Sequence, residues 1–348
     1  MLGRSFKIVA PKRLDLFIED VECNEDEAII KIEKASICKA DIRYYLGQRD
    51  KRLLGLKYPM NLLHEAVGIV LNDPTSTFKS GDRVVLVPNL TLNCEKSQCK
   101  YKVCQNKKLG ENYCPDARFA SSNFNGFSRE FLSYPVSNLV YVPEELTSNI
   151  AVFSELISVA HAMIRRIEIE EDDIIGIWGD GILGYILACT LKATKKVKVV
   201  CIGKNEEKLY RFPAEQYFLR GSEELKNVKI DIAFECVGGK GVQGAVEEIL
   251  HNVLPGGKIV LAGVPDDDIE INTRIVLEKG LEIMGVTRSN IKDFKNSILT
   301  LKDENFKNRI SNLILEEYEV KNINDFYDAF EFEASNKKLG KRVISFIL

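Results

Sequence analysis

The chain has 348 residues, of which 45% are hydrophobic and 28% charged, and its formal net charge at pH 7 is −3. This length predicts about two domains, and the slightly negative charge argues against a nucleic-acid-binding protein. No apolar run reaches the length of a membrane span, and the N-terminal residues lack the apolar region of a signal peptide. Nine scattered cysteines, an odd number, do not suggest a disulfide framework, so we expect a cytoplasmic protein.

The first half of the chain, to about residue 150, is predicted to be mostly β-structure. Short apolar runs at 28–32, 66–71 and 83–87 alternate with turn residues at 72–74 and 81–82. Such a pattern is typical of short strands joined by tight turns.

Cys38 and the His64–Glu65 pair are the first candidates for a chemical role. Each is unremarkable alone, because a single Cys is usually a small buried hydrophobe and a single His is more often structural than a ligand. The pair is not a zinc-protease motif, since the residue four positions after His64 is Gly68 and not a second His. Their interest comes from the glycine-rich turn that follows over a hundred residues later.

Four cysteines lie close together in a Lys-rich segment, with the spacing C-x4-C-x4-C-x9-C. They are Cys94, Cys99, Cys104 and Cys114. In a reducing cytosol four clustered thiolates predict a closed, tetrahedral structural zinc site. The alternative is a degenerate segment with unligated thiols.

The motif Gly179-x-Gly181-x-x-Gly184 predicts a dinucleotide site. It follows the apolar run 174–178 and opens a segment of helical length, and a second apolar run at 197–202 completes a βαβ unit. The first glycine permits the turn, the second lets backbone approach a pyrophosphate, and the third packs helix against strand. We expect the site to be formed by Gly179, Gly181, Ile182, Leu183 and Gly184. The alternative is an ordinary glycine-containing turn.

The second half alternates strands and helices, which predicts a parallel Rossmann sheet. Further strands are expected at 230–235, at 258–263 and, at a sheet edge, at 281–286. Gly203 and Lys204 end the second strand, where no carboxylate is available to bind the ribose hydroxyls of NAD. Lys204 can instead bind a 2′-phosphate, so we expect NADPH; the alternative is a solvated lysine. Lys-rich segments near the C-terminus are expected to be solvated helix faces.

This combination of a β-rich first half carrying Cys38 and His64–Glu65 with a mid-chain glycine turn resembles the zinc-dependent medium-chain dehydrogenase/reductase family. The resemblance implies an α/β fold with a GroES-like β-rich catalytic domain, residues 1–157 and 287–348, and a Rossmann doubly wound parallel-sheet domain, residues 158–286. It implies a catalytic zinc held by Cys38, His64 and Glu155, with Glu65 close by or an occasional ligand. Members often carry a four-cysteine structural zinc lobe, with tighter spacing than here.

Two departures from the family pattern point to one of its branches. Most members have Gly before the His-Glu pair, where this chain has Leu63, and a hydroxyl residue two after the Cys, where it has Ala40. The ribulose-5-phosphate reductase branch tolerates both. Segments that resemble that branch are 40–50, 59–65, 176–181, 234–239, 272–280 and 287–289.

The branch implies NADPH- and Zn²⁺-dependent reduction of D-ribulose 5-phosphate to D-ribitol 5-phosphate, feeding CDP-ribitol synthesis for teichoic acid or capsule polymers. One alternative is an NAD-dependent polyol dehydrogenase of the sorbitol or arabinitol type, acting on an unphosphorylated alcohol. Another is a catalytically silent cofactor-binding protein of this fold, a class expected to have lost the metal ligands.

The remaining expectations concern the substrate and partners. Because Ala40 cannot relay a proton, Glu65 or Glu155 is expected to do so through a metal-bound water. A substrate phosphate needs a cationic partner, for which the candidates are Arg43, Arg49 and Arg52. We expect a homodimer paired through the edge strand 281–286. The cytidylyltransferase of the same pathway is a further candidate partner, and no nucleic-acid or membrane partner is expected.

Overall fold

The structure is a computed structural model that describes residues 1–91 and 101–348. These residues form two compact units. Unit 1 comprises Met1–Glu155 and Asn290–Leu348, and unit 2 comprises Leu156–Ser289. Within the described residues, no helix is both long and apolar enough to cross a membrane.

The strands of the described chain, in order, are β1 Leu2–Ala10, β2 Arg13–Asp20, β3 Glu27–Ser36, β4 Met60–Asn61, β5 Glu65–Asn72, β6 Arg83–Leu86, β7 Asn89–Leu90, β8 Arg118–Phe119, β9 Phe131–Pro135, β10 Leu139–Tyr141, β11 Ile174–Trp178, β12 Lys198–Gly203, β13 Gln216–Leu219, β14 Ile230–Glu235, β15 Val253–Leu261, β16 Glu282–Gly285, β17 Ile314–Val320 and β18 Lys341–Phe346.

The α-helices, within the same described ranges, are α1 Lys39–Tyr45, α2 Lys51–Lys57, α3 Ser148–Ala151, α4 Ser154–Arg166, α5 Ile182–Thr194, α6 Glu206–Leu209, α7 Val242–Asn252, α8 Thr273–Lys279, α9 Ile291–Thr300, α10 Glu304–Ser311 and α11 Ile323–Ser335.

Unit 1 is built on a sheet in the order β10-β6-β5-β3-β18-β17, with β9 also pairing with β3, and on a smaller sheet, β2-β1-β4. Its core contains Ile30 and Ile32 of β3 together with Phe6, Phe326 and Phe330, all buried. Ile30 and Ile32 project to the same face because side chains alternate along a strand. The central trio β5–β3–β18, antiparallel throughout, places the ends of three distant segments side by side.

Unit 2 contains a six-stranded sheet in the order β13-β12-β11-β14-β15-β16, in which every neighbouring pair is parallel. The prediction of a parallel sheet is therefore confirmed. Buried apolar residues of the strands, such as Trp178, Ile202 and Ile259, form its core with α7. The predicted strand at 281–286 is β16, and it lies at the sheet edge. Pairing of this edge with a second copy stays a prediction.

The strand predicted at 258–263 begins earlier, at Val253. The additional residues include Pro255, which cannot donate a hydrogen bond to a neighbouring strand. The register explains the difference. Ile230 is opposite Val253 and Ile232 is opposite Lys258, so the residues between Val253 and Lys258 form an irregular bulge within the strand. Gly256 there has φ of +77°, a conformation that favours glycine.

Candidate active site

The ends of β3 and β5 bring three potential metal ligands together. Ser36, the last residue of β3, is paired with Glu65, the first of β5. Cys38 follows β3 and occupies the N-cap of α1, and His64 directly precedes β5. Each of the three side chains offers one ligand atom: a sulfur from Cys38, a ring nitrogen from His64 and a carboxylate oxygen from Glu65. These three atoms lie within 4.8 Å of one another.

Asp41 lies beside the histidine. Its carboxylate is fully buried and lies 3.5 Å from Nδ1 of His64, and it accepts hydrogen bonds from the Cys38 amide at 2.9 Å, the Leu63 amide at 3.1 Å and the Ser121 hydroxyl. Burial raises the pKa of Asp41, but His64 and these donors lower it further, so the net shift is downward. A ring whose Nδ1 faces a carboxylate presents Nε2 to a metal.

Leu63 adopts a left-handed conformation, with φ of +72°, and is buried. Glycine favours this region because it has no Cβ, which gives a physical reason for glycine at this position in the resembling family. In this chain the conformation is held by two hydrogen bonds that the Leu63 backbone makes. The Leu63 amide donates to Asp41 and its carbonyl accepts from the Phe127 amide at 2.9 Å.

Glu65 is tied to a cation from the far end of the chain. Its Oε2 accepts hydrogen bonds from the Ser36 hydroxyl and from Nζ of Lys341, the latter at 2.5 Å. Glu65 is 0% exposed and Lys341 is 3% exposed. Burial lowers the pKa of Lys341, but the negative charges of Glu65 and Cys38 raise it more, so the ammonium is retained. The other oxygen, Oε1, is buried and accepts no hydrogen bond from the described residues.

The donor set fits a zinc ion. Burial lowers the pKa of His64, but Asp41 and Cys38 raise it well above its ordinary value, so this buried site attracts positive charge. A dication could take the place of that proton. Sulfur, imidazole nitrogen and carboxylate oxygen are usual ligands of catalytic zinc, which keeps one position open. The buried, unpaired Oε1 of Glu65 is the kind of atom that such an ion would satisfy.

Glu155 lies on the first turn of α4 and is only 6% exposed. Burial raises its pKa to about 7, and the charges of His64, Glu65 and Lys341 also act on it. It is therefore close to the site, but it is not one of the three residues whose donor atoms converge within 4.8 Å. Its role as a zinc ligand stays a prediction.

The predicted glycine turn lies between β11 and α5. Gly179 has φ of +128°, and a Cβ there would lie 2.7 Å from the carbonyl oxygen of Cys236. A Cβ on Gly184 would lie 2.2 Å from the Gly179 carbonyl oxygen, whereas one on Gly181 would meet nothing within 4 Å. Gly181 caps α5 without a side-chain hydrogen bond, so the first-turn amides, including those of Ile182 and Leu183, face an open approach suited to an anion.

The prediction that no carboxylate lies at the end of β12 is wrong. Oδ2 of Asp180, from the glycine turn, accepts hydrogen bonds from the amides of Lys204 and Asn205, both at 2.7 Å. A Cβ on Gly203 would lie 2.7 Å from Asp180. Because this carboxylate belongs to the turn beside the strand, the residues of the strand itself do not reveal it. The Lys204 side chain is exposed.

Comparison with known proteins identifies the family. Residues 24–144 match the alcohol dehydrogenase GroES-like domain. Over 355 aligned residues the chain is 36% identical to ribulose-5-phosphate reductase 1 of Staphylococcus aureus, with 100% of both chains covered. The chain belongs to the zinc-type medium-chain alcohol dehydrogenase family. It is therefore an oxidoreductase, and the predicted fold class, a GroES-like domain plus a Rossmann-like parallel-sheet domain, is confirmed.

Two further relatives span the same length. The ribulose-5-phosphate reductase of Bacillus spizizenii is 34% identical over 351 residues, with 99% of each chain covered. The crystal structure of S. aureus TarJ in complex with NADPH superimposes with a TM-score of 0.86 at 32% identity, covering 100% of both chains. The similarity to this group thus extends over both units.

In this member of the family, sequence reading missed Lys341 and Asp41. Asp41 had a local signal, since it lies three residues after the N-cap Cys38 and closes a capping box with it. Lys341 had none. The expectation that lysines near the C-terminus are solvated on helix faces is wrong for Lys341, which is buried on strand β18.

The predicted cysteine lobe is only partly within the described residues. Cys94 and Cys99 lie outside them. Cys104 is half-buried in the short 3₁₀ helix Val103–Gln105, and Cys114 is buried directly after a second one, Glu111–Tyr113. A structural zinc in this lobe stays a prediction.

The three candidate arginines for a substrate phosphate differ in their surroundings. Arg43 is half-buried on α1, and Arg52 is exposed on α2. Arg49, between these helices, has its guanidinium carbon 5.1 Å from the ring centroid of Tyr44. Nζ of Lys57 also lies over the Tyr44 ring, 4.9 Å from its centroid. Lys57 was not among the cations predicted from the sequence.

Proposed function

We propose that this oxidoreductase reduces D-ribulose 5-phosphate to D-ribitol 5-phosphate with NADPH, for CDP-ribitol synthesis. The observation that carries the proposal is full-length similarity to ribulose-5-phosphate reductases at 36% and 34% identity, in a chain that places Cys38, His64 and Glu65 together. The NADPH complex of the TarJ relative supports the choice of cofactor.

Cys38 and His64 are proposed to hold zinc, with a carboxylate oxygen of Glu65 or Glu155 as third donor. The buried, unpaired Oε1 of Glu65 favours Glu65 for that place. A zinc ion held by these residues would supply a Lewis acid for the C2 carbonyl of the ketose phosphate. Asp41 places a negative charge 3.5 Å from Nδ1 of His64, and Lys341 balances the charge of Glu65 while leaving Oε1 unpaired.

A proton must reach the oxygen of the reduced carbonyl. Ala40 lacks a hydroxyl, and Glu65 is held by Lys341 and Ser36. In the metal-free protein burial raises the pKa of Glu155 to about 7, which favours this carboxyl over Glu65 as the proton donor. An acid with a pKa near the working pH is the most effective proton donor. We therefore propose Glu155 as the source of the proton.

NADPH is proposed to bind unit 2 at the glycine turn, with its pyrophosphate on the N-terminus of α5 and its 2′-phosphate near Lys204. Bound there, NADPH would supply the hydride for C2 of the substrate. The test is an NADPH-oxidation assay over a panel of ketose phosphates and the corresponding unphosphorylated ketoses. We expect ribulose 5-phosphate to be strongly preferred over ribulose. Equal catalytic efficiency on the two would overturn the proposal.

One observation favours a second candidate, an NAD-dependent polyol dehydrogenase. Asp180 places a carboxylate at the end of β12, where the ribose hydroxyls of NAD usually find an acid. Because Oδ2 already accepts two backbone hydrogen bonds, only Oδ1 remains for a ribose. Running the same ketose assay with NADH in place of NADPH, and measuring reduction of NAD⁺ with sorbitol or arabinitol as substrate, separates the candidates.

A further inference from the structure

A cluster of two cations and a tyrosine lies beside the candidate metal site. The Tyr44 ring has the Arg49 guanidinium carbon 5.1 Å and the Lys57 ammonium 4.9 Å from its centroid, and Lys57 Nζ also donates to the Tyr44 hydroxyl at 2.6 Å. Tyr44 is 4% exposed. We call these three residues the Tyr44 cluster.

The Tyr44 cluster has an excess of positive charge. No carboxylate among the described residues forms an ion pair with Arg49 or Lys57, and Nε of Arg49 is buried without a hydrogen-bond partner. The nearest acid in sequence, Asp50, caps α2 through the Leu53 amide at 3.0 Å. Two cations on one ring repel each other, and a buried donor without an acceptor is costly. Both costs would be relieved by an anion.

The pKa of the Tyr44 hydroxyl is shifted in the direction that an excess of positive charge would produce. Burial raises the pKa of Tyr44, but hydrogen bonds from Lys57 and Ser122, with the charges of Lys57 and Arg49, lower it further, so the net shift is downward. The negative form of a group placed here is therefore stabilised. This is the electrostatic requirement for holding a phosphate dianion.

The cluster is connected to the metal site by short contacts within unit 1. Asp41 and Tyr44 are three residues apart on α1, a spacing that puts two side chains on the same helix face. Asp41 accepts a hydrogen bond from Ser121, and Tyr44 interacts with the adjacent Ser122. Because Cys38 caps the helix that carries Tyr44, we expect a small substrate whose carbonyl is at the metal ligands to reach this helix face with its other end.

We infer that Tyr44, Arg49 and Lys57 form the subsite for the terminal phosphate of the substrate. The inference rests on the proposed function and adds Lys57 and Tyr44 to the residues that define it. The guanidinium of Arg49 can donate two parallel hydrogen bonds, and the ammonium of Lys57 adds a compact positive charge. Together they suit a phosphate, which has several acceptor oxygens. Arg52, exposed on α2, is not part of the subsite.

The first test compares kcat/KM for ribulose 5-phosphate and ribulose. Lys57→Met and Arg49→Gln should each lower the value for the phosphorylated sugar about 10- to 100-fold, the worth of one charge-assisted hydrogen bond, and leave that for ribulose unchanged. Arg49→Lys keeps the charge but not the two parallel hydrogen bonds, and should lose less than Arg49→Gln. The matched control is Lys51→Met, an exposed lysine on the same helix. Equal losses on both sugars, or no loss, would overturn the inference.

A second test does not depend on turnover. Inorganic phosphate should raise the melting temperature of the wild type and of Lys51→Met more than sodium chloride does at equal ionic strength. Lys57→Met and Arg49→Gln, if folded, should gain less from phosphate than Lys51→Met does, the gain they keep being that of the glycine turn and of the general stabilising effect of phosphate. An undiminished phosphate effect in both variants would overturn the subsite. If the wild-type enzyme shows no preference for the phosphorylated sugar, the proposed function fails instead, and the phosphate titration still decides the subsite.

Discussion

Replacing Lys341 by Met removes the partner of a carboxylate that has no access to water. Glu65 is 0% exposed and its Oε2 lies 2.5 Å from Nζ of Lys341. Without the ammonium, Glu65 must either stay charged in a buried site or take up a proton. Removing one member of a buried pair typically costs about 3–5 kcal/mol of unfolding free energy.

The free energy needed to protonate the Glu65 carboxyl determines how much stability the Lys341→Met variant loses, and how that loss depends on pH. A carboxyl with an ordinary pKa of about 4.3 costs about 3.7 kcal/mol to protonate at pH 7, and about 1 kcal/mol at pH 5. If burial keeps this carboxyl neutral in the variant, the folded state holds a proton that the unfolded state has released. Stability is then lost as pH rises above about 4.3. In the wild type Lys341 is charged in both states over this range, so the deficit of the variant should grow from pH 5 to pH 7.

The assay is thermal unfolding of chelator-treated protein at pH 5 and pH 7, so that Glu65 has no metal to bind. For a unit of about 210 residues, a loss of this size at pH 7 corresponds to a fall in Tm of about 10 °C. The control is Lys337→Met, an exposed lysine near the same strand, which should change little. A deficit below about 1 kcal/mol at pH 7, or one equal at both pH values, would refute this account of the pair.

Four other predictions follow from the site and its neighbours. Cys38→Ser should abolish NADPH oxidation but leave NADPH binding, measured by cofactor fluorescence, since the glycine turn belongs to the other unit; full activity of metal-free protein would contradict this. Lys204→Ala should weaken NADPH several-fold and leave NADH unchanged, the worth of one exposed charge pair; equal effects on both cofactors would argue against a 2′-phosphate contact. Metal analysis should give about two zinc ions per chain, falling to about one in a Cys104→Ser/Cys114→Ser variant; one zinc in the wild type would show that the lobe is unoccupied. Because burial raises the pKa of Glu155 to about 7, chelator-treated wild type should lose stability relative to Glu155→Gln as pH rises from 5 to 8; a parallel pH profile for the two proteins would exclude this titration.

Local patterns predicted the elements of unit 2 well. Strands β11 and β14 begin and end where their apolar runs do, and the glycine turn lies between a strand and a helix as its spacing predicts. Each of these features is encoded by a short, contiguous stretch. The bulge at Pro255 was missed because its backbone geometry depends on the register with a neighbouring strand.

Only some residues of the candidate site could be predicted from the sequence. Cys38, His64 and Glu65 were found through a resemblance, and Asp41 could have been found from its position three residues after Cys38. Lys341 is separated from Glu65 by 276 residues, and nothing near it in the sequence signals burial. The Asp180 carboxylate was overlooked for a similar reason, since a turn and a strand end meet only in the folded sheet.

The sheet order β5–β3–β18 also determines when the site can be completed during synthesis. β3 and β5 leave the ribosome early, whereas β18 follows only after the whole of unit 2 has been made. Until then β3 has an unpaired edge where β18 will lie, and Glu65 has no ammonium beside it. We expect a chain cut before Lys341 to aggregate rather than to form a smaller, metal-binding domain.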